Sequence, residues 1–510
     1  MTELTLIPAK DTGTAIPAEP FIGQHLIDGV WTDSADGAGF DRNSPAHGDL
    51  ISRSAKGGVA ETEAAITAAR RVFDLGDWAF SSGQARAKIL LKMADLIDEN
   101  RDHIALIETL ESGKPITQAK AEIEGAADLW RYAAALARTL HGDSHNSLGA
   151  DMLGVVLKAP IGVVSIICPW NFPFLIVSQK LPFALAAGCT AVVKPSELTP
   201  STTVILGQLL QQAGLPAGVV NIVLGHGDPV GAVMSTHDAV DMVSFTGSTA
   251  IGRQIVKAAG DTLKKVSLEL GGKNPQVVFP DADIEAAADA ITFGVYFNAG
   301  ECCNSGSRII VHEDIAEALT AKIVALSRQV PFGDPLNPAT QVGAIISSDH
   351  QARIDGYVKD ARAEGARVVL GGDRLSISSL TGAFYQPTVI ADVTANMAIA
   401  KEEVFGPVLS VLTFRDPGEA LALANDAAYG LSAGVWSRNV HTCLDFARRV
   451  QAGTVWTNTW MDGFAELPFG GVKQSGQGRE LGRYGLEEFL EVKTVQMRVN
   501  RGRDPWVKTR

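Results

Sequence analysis

The sequence predicts an α/β protein built on parallel sheets, and three observations carry that. From Pro160 onward, short β-branched runs alternate with helical patterns: "VVSIIC", "TAVVK", "VVNIVL", "DMVSF" and "KKVSLEL" are separated by stretches with apolar residues at three- and four-residue spacing. Such alternation marks βαβ units. A second alternating block runs from "RIIVHE" through "VVLGG", "VLSVLTF", "AGVWS" and "GTVWTN" and reads as a separate α/β layer. The length of 510 residues exceeds one ordinary core, so two or three domains are expected.

The elements follow in order. "FIGQHLIDGVWTDS" predicts a hairpin with Asp28-Gly29 as its turn. "ETEAAITAARRVFD", "ARAKILLKMADLIDENRDHIALIETLES" and "AKAEIEGAADLWRYAAALARTL" predict three helices, the second ended by Gly113 and Pro115. After "VVSIIC" a helix runs through "LIVSQKLPFALAAG". After "TAVVK" another opens with Thr199 as its cap and Pro200 at the first helical position, and stops at Gly214 and Pro216. A further helix begins after Gly247. Two strand patterns, "MLGVVLKAP" and "EVKTVQMRV", fit neither block and are expected to protrude and pair elsewhere.

Composition excludes several classes. A hydrophobic share of 46% with 20% charged residues is that of a globular protein, and a net charge of −13 leaves no global basic field for DNA, RNA or an anionic membrane. No run of apolar residues is long enough to span a bilayer. "MTELTLIPAKDTGTAIPAEP" lacks a basic start followed by an apolar block, so residues 1–20 read as a loose arm rather than a signal peptide. The five cysteines form no CxxC pair and no Cys/His cluster, which argues against a disulfide framework or a metal site and points to the cytoplasm.

Five stretches carry chemistry. In "VSFTGSTAIG", small residues between a strand and a helix let a phosphate approach the helix start, although a tight turn needs the same glycine. In "VVKPSE", Lys194 and Glu197 stand just past a strand's carboxyl end, either for ribose hydroxyls or as a solvated pair. In "CPWNFP", Asn171 sits between two prolines, as an oxyanion donor or as a turn residue. Glu269 of "LELGGKNP" is a base aimed into a cleft or an ordinary exposed acid. "FNAGECCNSGSR" pairs two cysteines in a small, polar, flexible setting that suits a reactive thiol better than a buried one. The nearest histidines, His237 and His312, are not placed by any motif to partner it, which argues against a Cys–His hydrolase.

Taken together these motifs, with "EEVFGPV", "NDAAYGLSAGVWS" and "PFGGVKQSGQGRELG", resemble the NAD(P)-dependent aldehyde dehydrogenase superfamily of the hydrolytic, non-CoA-acylating type over about residues 21–499. The resemblance implies Cys303 as nucleophile with Cys302 as its pocket neighbour, Glu269 as general base and Asn171 as oxyanion donor. Glu301 stands where glutamine is more frequent, and is expected to alter the charge near the thiol. Lys194 and Glu197 match adenosine-ribose contacts, Trp170 and Ser248 pyrophosphate contacts, and Glu403 and Phe405 the nicotinamide ribose, with Thr246 and Gly247 as further coenzyme-binding residues. Lys180 and Glu480 match a proton relay. Phe172, Gln179, Phe297, Cys302, Trp460 and Phe469 map to the substrate pocket.

The same resemblance implies a Rossmann-like coenzyme domain (21–140 and 161–270), an α/β catalytic domain (271–470) and a bridging, oligomerising flap (141–160 and 485–500) in a homodimer or homotetramer. The coenzyme is NAD, favoured by the carboxylate of Glu197, with NADP as an alternative and no metal. The implied reaction is oxidation of an aldehyde to its acid through a Cys303 thiohemiacetal and thioester. Gln179 stands where several relatives carry tryptophan, which favours a small polar aldehyde. Betaine aldehyde or an aminoaldehyde is the alternative, and a non-catalytic relative of the fold is the rival from another class.

Overall fold

The computed structural model describes residues 4–8, 16–500, 502, 506 and 507. Along the chain, strands β1 (His25–Ile27) and β2 (Val30–Thr32) form the expected hairpin. Its turn residues Asp28 and Gly29 have φ of 52° and 80°, as a two-residue turn matching strand twist requires. Helices α1 (Val59–Leu75), α2 (Gly83–Glu99), α3 (Arg101–Ser112) and α4 (Ile116–Thr139) follow. The stretch expected as one helix from 85 to 112 is two, broken at Asn100, whose side-chain amide donates to the Leu96 carbonyl. Asparagine competes with the helical ladder in this way. Gly113 then closes α3 in the left-handed region at φ 84°.

Next come β3 (Asp143–His145), β4 (Met152–Pro160), β5 (Val163–Ile167), α5 (Pro173–Ala187), β6 (Thr190–Lys194), α6 (Ser201–Ala213), β7 (Val220–Ile222), β8 (Met242–Thr246), α7 (Thr249–Ala259) and β9 (Lys265–Glu269). Helix α6 starts one residue later than expected, with Pro200 flanking it. Thr199 does not cap it; its hydroxyl donates to the Trp170 carbonyl instead. The second block supplies β10 (Pro275–Val278), α8 (Ile284–Tyr296), β11 (Arg308–His312), β12 (Arg367–Leu370), β13 (Thr388–Ala391), β14 (Val408–Phe414), β15 (Ser432–Trp436) and β16 (Thr454–Thr457). Strands β17 (Gly476–Gln477) and β18 (Leu490–Arg498) end the chain's regular structure.

Three sheets matter here. The first has the order β17-β9-β8-β5-β6-β7-β1-β2, parallel from β9 to β7 and antiparallel at both edges. The second has the order β12-β13-β14-β11-β10-β15-β16, parallel except for the antiparallel edge strand β12. The two protruding strands pair with each other: β18 runs antiparallel to β4 along nine residues, with β3 on the far side. Of the expected loose arm, Leu6 and Ile7 are not loose, because they pair in parallel with Phe332 and Gly333.

Each large sheet has its own apolar core, one around Trp130, Phe174 and Phe183 and one around Ile309, Phe384 and Phe414. Among the described residues no helix is long and apolar enough to cross a membrane. No group of three or more His, Cys, Asp and Glu side chains is placed to hold a metal among them.

Candidate active site

The first sheet reverses direction between β5 and β8, since β6 and β7 extend to one side of β5 and β8 and β9 to the other. Ligands of open α/β sheets bind beyond the carboxyl ends of the strands at such a reversal. Trp170 and Asn171 follow β5, Lys194 ends β6, Thr246 ends β8 and Glu269 ends β9. The chain then crosses to the second sheet, whose amino edge carries Asn274 before β10 and Cys303 before β11. The thiol therefore faces the carboxyl edge of one sheet from the amino edge of the other.

Cys303 and Glu269 line one cavity of about 560 Å³, together with Phe172, Gln179, Phe297, Cys302, Phe469 and Glu480. The thiol is partly exposed to this space and Cys302 is buried beside it, both unbridged. Hydrogen bonding with Cys302 pushes the Cys303 thiol well above the ordinary range, and burial and the carboxylates of Glu403 and Glu269 push it the same way. Among the described residues no lysine, arginine or histidine lines the cavity. Glu269 is 4% exposed and neither carboxylate oxygen has a hydrogen-bond partner. Burial raises its pKa well above that of an ordinary carboxyl; Glu480 adds to this while Lys180 opposes it. Gly470, at φ 154°, leaves the room it needs, because a Cβ there would come within 2.6 Å of Glu269 Oε1.

Lys180 of α5 is ion-paired with Glu480 and donates to Ser244 Oγ at 3.2 Å. Asn171 is buried, next in sequence to the cavity-lining Phe172, and its Nδ2 donates to the Glu301 carbonyl at 3.1 Å. Two residues that sequence reasoning passed over hold the thiol loop. Asn274 Nδ2 donates to the carbonyls of Cys303 (2.7 Å) and Ser305 (3.0 Å), while its Oδ1 accepts from Ser432. Asn298 donates to the carbonyls of Asn171 and Glu301. Both lie inside the motifs "LELGGKNP" and "FNAGECC", where only the reactive-looking neighbours draw the eye.

Two expectations need correction. Trp460 does not line the cavity: it is 4% exposed and packed against Gly294 and Gly434, where a Cβ would collide with its ring, and close to Gly306. Trp456, whose ring is tilted 58° to that of Trp460 with centroids 4.8 Å apart, is the indole on the wall. Glu301 does not charge the thiol's surroundings. Its carboxylate is buried, accepts the Ile346 N–H at 2.9 Å and lies in the field of Lys114 and Arg42.

The region expected to take a dinucleotide has the donors and acceptors for one. Ser248 caps α7 through its Oγ, and at the end of β8 the buried Thr246 hydroxyl has no partner. Lys194 Nζ has one hydrogen bond, to the Pro195 carbonyl, and stands 3.8 Å from Glu197. Glu403 accepts the Gly272 N–H at 3.0 Å, and burial lifts its carboxyl to about 7. The Trp170 ring meets Phe405 edge-on at 5.4 Å. A helix start with free N–H groups, a lysine and two carboxylates suit pyrophosphate and two riboses.

A partly exposed thiol, an unpaired buried carboxylate and an amide donor around one cleft between two α/β sheets define an enzyme that works through a covalent cysteine. The aldehyde dehydrogenase family profile matches residues 31–495, and the chain belongs to that family, whose members are oxidoreductases acting on aldehydes. It is 42% identical to betaine aldehyde dehydrogenase of Bacillus subtilis (strain 168), covering 92% of this chain and 96% of that one. It is 41% identical to peroxisomal aminoaldehyde dehydrogenase 1 of Malus domestica, covering 94% and 96%. Among solved structures it resembles the NAD-dependent aldehyde dehydrogenase of Sinorhizobium meliloti, with 48% identity, a TM-score of 0.96 and 99% of both chains covered. It also resembles betaine aldehyde dehydrogenase of Staphylococcus aureus in complex with NAD+, with 40% identity, a TM-score of 0.93 and 95% and 97% covered.

Proposed function

We propose that the protein oxidises an aldehyde to its carboxylic acid with NAD+, Cys303 being the nucleophile and Glu269 the base. The observation that carries this reading is the shared cavity: thiol and unpaired carboxylate line the same space with no cationic side chain between them. A thiol whose proton is held tightly needs an acceptor with matching proton affinity. Glu269, raised by burial, is such an acceptor, and Cys303 then attacks the carbonyl carbon. The alkoxide of the thiohemiacetal forms near Asn171 and the backbone N–H of Cys303, which donate to it. The chemistry supplied by bound NAD+ is acceptance of a hydride, which leaves the acyl group on sulfur as a thioester. The proton that Glu269 took from the thiol leaves toward the ion-paired Glu480 and Lys180. Glu269, ionised again, then takes a proton from the water that adds to the thioester and passes it to the departing sulfur, releasing the acid and the thiol.

Trp170, Lys194, Glu197, Thr246, Gly247, Ser248, Glu403 and Phe405 would hold the coenzyme. Glu197 favours NAD over NADP, whose 2′-phosphate it would repel. In this reading residues 21–140 and 161–270 bind the coenzyme, 271–470 carry catalysis, and 141–160 with 485–500 form the flap. The open edges of β3 and β18 and the exposed Leu157 and Val492 support pairing of copies into a homodimer or homotetramer. Free cysteines support a cytoplasmic setting.

Substrate selection rests on the wall. Phe172, Phe297, Phe469 and Trp456 give it aromatic faces, and Gln179, Thr459 and Asp462 give it polar ones, which suits a small polar aldehyde. Asp462 and Trp456 on the same wall also favour the second reading, an aldehyde bearing an amino or trimethylammonium group. The test is NADH absorbance with a panel of aldehydes ranked by kcat/KM. Absence of NADH with every aldehyde sinks the function, and hexanal outranking all polar substrates sinks the specificity alone.

A further inference from the structure

We propose that Asn298 is the positioning residue for the oxyanion donor, holding Asn171 and the Cys303 loop in one frame. The inference rests on the roles given above to Asn171 and Cys303. Asn298 is 3% exposed, and its Nδ2 donates to the Asn171 carbonyl at 3.1 Å and to the Glu301 carbonyl at 3.0 Å. The Asn171 amide donates in turn to the same Glu301 carbonyl at 3.1 Å. Three residues thus close a small network that joins the loop after β5, on the first sheet, to the loop before β11, on the second.

The planarity of an amide gives this network its consequence. The two N–H bonds of Asn171 lie in one plane at a fixed angle, so pinning one of them to Glu301 sets the direction of the other. That second N–H is the one left to donate to an alkoxide on Cys303. Asn298 holds both ends of the pin, the backbone of the donor residue and the carbonyl it pivots on. Displacement of either would swing the free N–H away from the carbonyl oxygen, and donors of this kind depend on being aimed in advance.

The backbone explains why an asparagine stands there. Asn298, Ala299 and Gly300 are all left-handed, with φ of 52°, 55° and 75°. Asparagine tolerates that region better than other side chains of its size. Gly300 has no alternative, because a Cβ would come within 2.2 Å of the Gly406 carbonyl. Such runs persist where the surroundings over-determine them, commonly at functional sites. Asn274 secures the far side of the same loop through Cys303 and Ser305, and its hydrogen bonds go there and to Ser432 rather than to Asn171. The alignment of donor to thiol therefore falls to Asn298.

The test uses Asn298→Gly and Asn298→Asp, which both keep access to the left-handed backbone and both remove the amide donor. The kcat for aldehyde oxidation should fall by about 10- to 100-fold, with KM for NAD+ within about twofold of the wild type. The deciding measurement is a double-mutant cycle with Asn171→Ala. If Asn298 acts through Asn171, Asn298→Gly costs no further activity once Asn171 is gone. Independent multiplication of the two losses, or a kcat unchanged in both single variants, would overturn the proposal. So would failure of both variants to fold, read by circular dichroism, since it would assign Asn298 to stability. An Asn171→Ala enzyme of undiminished kcat would overturn the oxyanion assignment itself, and shows separately in the same data.

Discussion

Replacing Glu403 by glutamine should abolish a pH dependence of NAD+ binding that the wild type shows below pH 8. Burial raises the Glu403 carboxyl from its ordinary 4.5 to about 7, against the pull of the Gly272 N–H, Arg353 and Lys273. A ribose hydroxyl donates to this group best when both oxygens are acceptors, which requires the ionised form. A carboxyl titrating near 7 is roughly 9% ionised at pH 6 and roughly 90% at pH 8. Apparent affinity scales with the competent fraction, so NAD+ should bind about tenfold more tightly at pH 8 than at pH 6, about 1.4 kcal/mol, and level off above. Titrations of NAD+ against the protein, followed by tryptophan fluorescence or calorimetry without aldehyde, read this directly. Glu403→Gln keeps the shape and one acceptor but cannot titrate, and its affinity should be flat.

Stability gives the complementary sign. The folded carboxyl binds its proton more tightly than the unfolded one, so its contribution is full below about 4.5 and is lost as pH rises through about 7. Glu403→Gln should therefore raise Tm more at pH 8 than at pH 5. A wild-type affinity constant from pH 6 to 8, or the same slope in the variant, would refute the reasoning.

Four further outcomes are expected. Cys303→Ala should form no NADH from any aldehyde while Cys302→Ala remains active; a dead 302 variant beside an active 303 variant would reverse the assignment. Glu269→Gln should give a burst of NADH followed by slow turnover, because the thioester then lacks its base, and an unchanged steady state would remove Glu269 from that role. Iodoacetamide should alkylate Cys303 of the free enzyme more slowly than a free cysteine at pH 7, and the rate should keep rising beyond the ordinary thiol range near about 8.5; fast, pH-independent alkylation would contradict the raised thiol. Trp460→Ala should cost about 3–5 kcal/mol of stability by opening a cavity, while the folded enzyme keeps its ranking of aldehydes. A changed ranking would return Trp460 to the wall.

Local signals carried far in this sequence, and distant convergence did not. The Asp28-Gly29 turn and the left-handed stops at Gly113 and Gly214 were legible because each is a few residues long and governed by backbone sterics. The break at Asn100 was not, because the apolar spacing runs through it and only the asparagine's own hydrogen bond interrupts the ladder. The chemistry-bearing residues at the strand ends could be picked out, since strand periodicity says where a strand stops. What each side chain meets there was hidden. The partner of Lys180 is 300 residues away at Glu480, and Glu301 finds Ile346 rather than the thiol beside it in sequence. Trp460 misled for the same reason: three glycines from three separate segments, Gly294, Gly306 and Gly434, make the slot that takes it off the wall.

The placement of the thiol has a consequence for how the site must work. A cysteine meant to be permanently reactive is usually held near a cation or a helix start, which lowers its pKa. Here the neighbours run the other way: another thiol and two carboxylates, with no cationic side chain on the cavity wall. The same enclosure that holds the proton on sulfur also leaves Glu269 unpaired and raised, so that donor and acceptor are brought toward one another in proton affinity. A paired, depressed Glu269 would be too weak a base for the thiol and for water alike. The desolvation that suppresses the resting nucleophile is thus the same desolvation that makes its base effective. Any substitution that wets the cavity should weaken the base even as it frees the thiolate.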